Sequence, residues 1–271
     1  MSFKIGFAAS PAAEEHEPIS DTPATEAQPR KSVARVFFPE RNFACSYYND
    51  MFDLHEGDTV FVEGKLEGLC GIVEEVSYSF KIKLSDYKRV ISKADTAVHG
   101  ELFFAGSHMV AFDRKVIPYE KVASWVKAPT PPEEEFAVGS SGESILLATI
   151  GGLVVSSSVA QAGNEYYADN RVIYICVDGA KGRAIVVGRK PYDLEFTLRN
   201  GEVTDLVCGC YCAENCKHEL AALLQLRETL NIITEKYADE YERSGYFAAV
   251  SKGKLMQAVI GRRESGKLIL G

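Results

Sequence analysis

The sequence predicts an α+β protein in two folded parts, and three observations carry that expectation. From Val33 the chain runs in short alternating apolar and polar segments separated by glycine-bearing turns. A run of proline and glutamate then breaks the pattern near residues 128–135. Beyond it, a dense group of cysteines stands between a strand-like segment and an apolar stripe of helical period. At 271 residues with 46% hydrophobic content, the chain is long enough to bury two small cores.

Residues 1–32 are rich in Pro, Ala, Glu, Ser and Thr and hold too few apolar groups to offset the entropy of ordering, so a disordered tail is expected. Within 33–127, strands are expected over 33–38, 42–48, 59–63 and 70–76, with continuations over 78–84 and 88–92. A Gly-Asp turn, an apolar strand, a second glycine turn and a Gly-Ile-Val strand are the rhythm of a small SH3- or OB-like β-barrel. Cys45 and Cys70 sit in apolar strand settings and read as small core residues. His99 and His108 flank a strand and turn without a third ligand nearby and read as structural.

The segment 128–143 reads as a proline-stiffened acidic linker. The second part, 144–243, starts with a strand over 145–150 and a short helix over 158–167 on which Val159, Ala162 and Tyr166 share a face. Strands follow over 172–177, 184–187, 194–198 and 203–207, joined by turns at Asp178-Gly179, Pro191-Tyr192 and Asn200-Gly201. The stripe Leu220, Leu223, Leu224, Arg227 and Leu230 gives a helix. Residues 244–271 form an extension of strand-like pieces, 247–250, 255–260 and 268–270.

The chemistry concentrates in Cys208-Gly-Cys210-Tyr-Cys212-Ala-Glu-Asn-Cys216-Lys-His218. Four of the seven cysteines and one of the five histidines fall inside eleven residues. Thiolate sulfur and imidazole nitrogen are the donors that a borderline-soft tetrahedral zinc ion prefers, so a structural zinc site is expected. The other reading, of redox-active or merely buried cysteines, does not account for a Cys-x-His ending on the lip of a helix. The spacing is Cys-x-Cys, five residues, then Cys-x-His, which differs from fingers built on paired Cys-x2-Cys.

That pattern, with Cys216-Lys217-His218 opening a Leu/Ala helix, resembles the SWIM zinc finger. The resemblance extends upstream through Gly163-Asn-Glu-Tyr166-Tyr167, Arg171-Val172, Gly188-Arg-Lys-Pro191-Tyr192 and Leu194-Glu-Phe196 and covers about residues 153–230. It departs from the usual pattern at Ala162, where an arginine often precedes the glycine, and at Cys212, one thiol too many. Pairing Cys208 with Cys210 leaves five residues before Cys216, enough to turn from a strand end to a helix start. Pairing Cys210 with Cys212 leaves three, a tighter loop than this finger normally uses. The expected ligands are therefore Cys208, Cys210, Cys216 and His218, with Cys212 as a substitute. Lys217 is expected to donate to the sulfurs.

The net charge of −8 argues against a protein that coats nucleic acid by charge alone. An odd number of cysteines gathered in a metal-like cluster argues for a reducing cytoplasm, and the chain shows neither signal-peptide anatomy nor an apolar run of membrane-spanning length. No phosphate loop, dinucleotide glycine signature or nucleophile motif is present, and a closed four-ligand metal has no open position for water, so no enzyme is expected. Three functions remain. The first is a zinc-binding module that holds a protein partner, as an accessory in DNA metabolism. The second is direct DNA or RNA binding through the finger and the barrel, where Lys81, Lys83, Lys88 and Arg89 with Tyr78, Phe80 and Tyr87 are the candidate contacts. Alternation of outward lysines and inward aromatics in an ordinary strand produces the same pattern. The third is thiol redox sensing, in which an oxidant takes two electrons as Cys212 and a bound thiolate join in a disulfide and the zinc is released.

Overall fold

The computed structural model describes residues 5–6, 29–129, 142–150, 153, 155–212 and 215–260. Most of the expected tail, the centre of the linker and the strand-like piece 268–270 lie outside the described residues. The fold is mixed α+β with two antiparallel sheets. Among the described residues no helix is long and apolar enough to cross a membrane.

The first sheet is built from β2 (Ser32–Phe38), β3 (Phe43–Asn49), β4 (Thr59–Val62), β5 (Gly71–Ser77) and β6 (Val90–Lys93), in the order β3-β2-β5-β4-β6. Strict alternation in β2 buries Ser32, Ala34, Val36 and Phe38 on one face, where the last three meet Tyr47, Leu54, Val60, Val62 and Val73. Gly71 is required by that packing, since a Cβ there would stand 2.3 Å from Val36 Cγ1.

The expected barrel does not close. The edge strand β3 meets the residue just before β6 at one isolated bridge, Tyr48–Arg89, where the Tyr48 N–H donates to the Lys88 carbonyl at 2.9 Å, and no ladder joins β3 to β6. Of the two expected continuations, 88–92 is met by β6 from Val90 onward, whereas 78–84 is irregular and runs into a single 3-10 turn, Leu84–Asp86. Its alternation is satisfied by local ring contacts instead: Phe80 packs edge-on to Tyr48 at 6.2 Å and Arg30 covers Tyr78 at 4.5 Å. Cys45, expected in the core, is exposed, because the first half of β3 faces outward.

Among the described residues the second sheet has nine strands. It contains β1 (Ile5–Gly6), β7 (Glu101–Ala105), β8 (His108–Ala111), β9 (Ile145–Leu146), β10 (Val172–Asp178), β11 (Lys181–Val187), β12 (Pro191–Arg199), β13 (Glu202–Cys208) and β14 (Tyr246–Ser251). Their order is β1-β7-β8-β14-β10-β11-β12-β13-β9. The meander β10 to β13 follows the expected strands, while Pro191 and Tyr192, expected in a turn, begin β12. β14 joins it to the hairpin β7–β8, which the sequence pattern grouped with the preceding strands.

Both faces of this sheet are covered, which is why β10 and β14 are buried at nearly every position instead of alternating. On one face α1 (Tyr119–Ser124) and α5 (Lys252–Ile260) pack with Trp125 against Tyr174, Cys176, Ala248 and Val250. On the other, α3 (Lys217–Lys236) brings Ala221, Leu223, Leu226 and Ile233 onto Ile175, Val177, Phe247 and Ala249, and α2 (Ser157–Ala168) adds Tyr166 and Tyr167 to the same cluster. A further short helix, α4 (Ala238–Ser244), follows α3 and ends at Gly245, whose φ of 60° only glycine adopts readily. α5 replaces the strand expected over 255–260. Its Leu255, Ala258 and Val259 recur at helical spacing and share one cluster, a pattern that a short apolar run does not distinguish from a strand.

His108 ties β8 to β10. Its Nε2 lies 2.7 Å from the Val172 carbonyl and its Nδ1 2.9 Å from Ser107 Oγ, so a neutral ring with the proton on Nε2 satisfies both nitrogens. Burial holds its pKa down to about 4, below an ordinary histidine. Below the unfolded-state value near 6.5 the unfolded chain takes up a proton that the folded chain refuses, so stability falls with pH until the folded ring protonates near 4. At about 1.4 kcal/mol per unit, this window costs on the order of 3 kcal/mol. Denaturant unfolding between pH 7 and 4 is expected to lose that slope in His108→Gln, and an unchanged slope would remove His108 as its source.

Candidate metal centre

Three elements converge on the cysteines. β13 ends at Cys208, which pairs with Leu194 of β12, and the Gly209 N–H donates to the Asp193 carbonyl at 2.9 Å to hold the chain at the sheet's end. Cys210 follows in the turn. Cys216 is the N-cap of α3, and its N–H donates to Glu219 Oε2 at 2.6 Å in a capping box. His218 lies in the first turn of that helix. The Cys-x-His spacing thus puts a thiol and an imidazole on the positive end of a helix, opposite the thiol at a strand end.

The donor atoms of Cys208, Cys210, Cys216 and His218 all lie within 4.8 Å of one another, close enough to hold one metal ion. His218 Nδ1 stands 3.8 Å from Cys208 Sγ and 3.7 Å from Cys216 Sγ. Metal–sulfur bonds of about 2.3 Å and metal–nitrogen bonds of about 2.0 Å span a tetrahedral edge of about 3.6 Å, so these residues fit such an ion with little movement. Cys212 is exposed and stands outside the group.

The electrostatics match a site built for a cation. The Cys216 thiol is pulled down to about 4 by a hydrogen bond from Cys208, with further support from His218 and the Glu219 N–H. Cys208 is correspondingly pushed up, since it keeps the proton that the pair shares. Burial pushes Cys210 up to about 11 and Glu219 up to about 7. A bound metal displaces the shared protons and takes their role of holding the sulfurs together.

The imidazole is positioned by shape. Tyr192 lies against it with ring centroids 4.6 Å apart, and Tyr166 meets it edge-on at 5.4 Å. Behind it, a Cβ at Gly188 would stand 3.0 Å from Nε2. Gly163 lets α2 approach α3, because a Cβ there would lie 2.7 Å from Leu220 Cδ2. Nε2 itself is buried with no hydrogen-bond partner among the described residues. The ring is therefore aimed at the thiols by packing from Gly188, Tyr166 and Tyr192, where a metal-bound histidine commonly has a carboxylate or carbonyl partner. The sequence singled out these three positions only through the resemblance, and nothing in their spacing pointed to His218.

Lys217 does not reach the sulfurs; its Nζ lies 4.7 Å over the Tyr166 ring, which Arg171 also covers at 4.9 Å. The other cationic group expected from the sequence is elsewhere. Lys81 and Lys83 are exposed in the irregular segment, the Lys88 stem lies over Gly64, and Arg89 pairs with Asp50 at 2.6 Å. Arg89 is thereby paired while its side chain stays partly exposed, and the four do not lie on one strand.

No family model, no curated protein and no solved structure matches this chain.

Proposed function

We propose that the metal is zinc, that the site is structural, and that the stapled knuckle is a docking point for a protein partner, in the manner of a SWIM-type finger. Three thiolates and one imidazole are a zinc donor set, and four protein ligands leave no position for a catalytic water. The chain then acts as a non-enzymatic accessory, with DNA metabolism as the expected setting. The seven thiols, none in a disulfide, suit a reducing cytoplasm.

The observation that carries the docking role is Tyr211. It sits between Cys210 and Cys212 with 95% of its surface exposed. A large ring held out by a metal-pinned turn is pre-organised at small entropic cost, and tyrosine is enriched among residues that dominate interface energies. Crosslinking in cells tests this. Tyr211→Ser is expected to keep its zinc and to lose a specific partner by about tenfold or more, the effect of a hot-spot side chain. Recovery of the same partners at the same yield by wild type, Tyr211→Ser and His218→Ala would sink the reading.

A second reading, direct DNA or RNA binding, draws on the cations around the same rings. Lys190 lies 5.8 Å over Tyr192 and 5.6 Å over Tyr211, beside the Arg171 and Lys217 contacts with Tyr166. Affinity for single- and double-stranded DNA across a salt series separates the two, because phosphate contacts weaken steeply with salt and an apolar protein interface does not.

A further inference from the structure

Where the first sheet meets the second, the two enclose a cleft of about 910 Å³, at the large end of small-molecule sites. One wall carries the turn with Leu69 and Cys70; the other carries the turn from β11 to β12 and the first turn of α5. Five cationic side chains line it, Arg171, Arg189, Lys190, Lys252 and Lys254, against two carboxylates, Glu40 and Asp169. The chain as a whole carries −8, so this local excess of positive charge opposes the average composition.

The cations are incompletely matched within the protein. Arg171 meets Asp169 at 3.5 Å, and Lys252 donates to the Gly106 carbonyl at 2.6 Å. Among the described residues Lys190 has only the tyrosine rings. Among the described residues the Arg189 guanidinium has no hydrogen bond or ion pair, and the Lys254 ammonium has one hydrogen bond, to the Gln257 side-chain oxygen at 3.2 Å, with the Glu40 carboxylate near enough to act on it through space but not bonded to it. Burial lowers the Lys254 pKa, as expected of an ammonium removed from water without a carboxylate bonded to it. Ser251 to Lys254 bring the amino end of α5 to the same space, which adds the positive end of its dipole. Ile72, Ile173 and Val187 give the cleft an apolar surface beside the charges.

We propose that this cleft binds a phosphorylated ligand, with Arg189, Lys190 and Lys254 on the phosphates and the apolar wall against the rest of the molecule. A single carboxylate does not need five cations, whereas a polyphosphate or a run of phosphodiesters does. The phosphates come either from a free nucleotide or from a nucleic-acid strand, and the test distinguishes the two. The inference does not require the docking role of the metal site: Lys254 stands on α5, in a different cluster from α3, while Arg189 and Lys190 follow Gly188, which packs on His218, so the metal is kept bound in the test.

Trp125 is the one tryptophan of the chain and borders the cleft from a buried position, so its fluorescence serves as a second readout beside calorimetry. Metal-loaded protein is titrated at low salt with tripolyphosphate, ATP and oligothymidylates of increasing length, by calorimetry and Trp125 fluorescence together. Saturable binding is expected with at least one of them, weakened about tenfold by Lys254→Gln and by Arg189→Gln, as for loss of a charge-assisted hydrogen bond. Affinity that climbs with oligonucleotide length assigns the phosphates to a strand; binding of ATP or tripolyphosphate without that climb assigns them to a nucleotide. Arg189 is exposed in its turn, which keeps the test open if Lys254→Gln does not fold. The proposal is overturned by the absence of saturable binding to all three probes, or by undiminished binding in a folded Arg189→Gln, Lys254→Gln double variant.

Discussion

Cys216→Ser and His218→Ala are each expected to reduce bound metal from one ion per chain to almost none after dialysis against a mild chelator. Structural zinc sites of this donor type bind with about 10–16 kcal/mol of apparent free energy, which removal of one ligand largely abolishes. The geometry makes these two positions decisive. Both stand at the start of α3 and both are buried, so no solvent ligand replaces them without opening the helix end. The effect on folding is smaller than the effect on binding, because α3 also buries Leu223, Leu226 and Ile233 against the sheet. Metal in excess over its dissociation constant by about a thousandfold adds about 4 kcal/mol, so its loss lowers the unfolding midpoint by about 10 °C. The first sheet has a separate core and is expected to keep its structure. Cys208→Ser should match His218→Ala, and Cys212→Ser should keep the metal. If Cys212→Ser loses it while Cys208→Ser does not, the ligand set is wrong.

The parts of the fold that were legible from the sequence are those governed by local rules. The β10 to β13 meander follows from alternation and from turns that demand positive φ, as at Gly179 (58°), Asn200 (51°) and Gly201 (78°). The start of α3 follows from a Cys-x-His pair set on an apolar helical stripe. What was not legible depends on partners far apart in the chain. Nothing in residues 101–111 announces that Met109 and Val110 pair with Val250 and Ala249 of β14. The lack of barrel closure is likewise a matter of where two edges end, and Lys and aromatic alternation over 78–88 carries no record of it. At the metal centre the donor residues were visible as composition, but the packing that aims His218 was not. The cleft cations are not legible in the sequence because they come from segments that no sequence window holds together.

Gly188→Val is expected to weaken metal binding by more than tenfold although residue 188 donates nothing to the metal. The backbone there lies outside the left-handed region, so strain in φ plays no part and the effect is steric. A methyl group at this position would stand 2.9 Å from Tyr192 Cε2 and 3.0 Å from His218 Nε2. The Tyr192 ring cannot absorb the push, since it already lies against the imidazole at 4.6 Å, with Tyr166 edge-on at 5.4 Å. The imidazole must therefore turn or shift, and a ring displaced by a few tenths of an ångström no longer presents Nδ1 along the tetrahedral edge to Cys208 and Cys216. Disturbing the surroundings of a ligand costs about 10–100-fold in metal affinity, so Gly188→Ala falls at the lower end and Gly188→Val at the upper. Tyr192→Leu, which removes the stacked ring without adding bulk, should loosen the imidazole and fall between wild type and Gly188→Val. Competition with a chromophoric chelator at neutral pH measures all three, with far-UV circular dichroism to show that the sheet persists. Equal affinity in wild type and both glycine variants would mean that His218 finds its position from the α3 backbone and the metal alone, and the packing account of the site would fail.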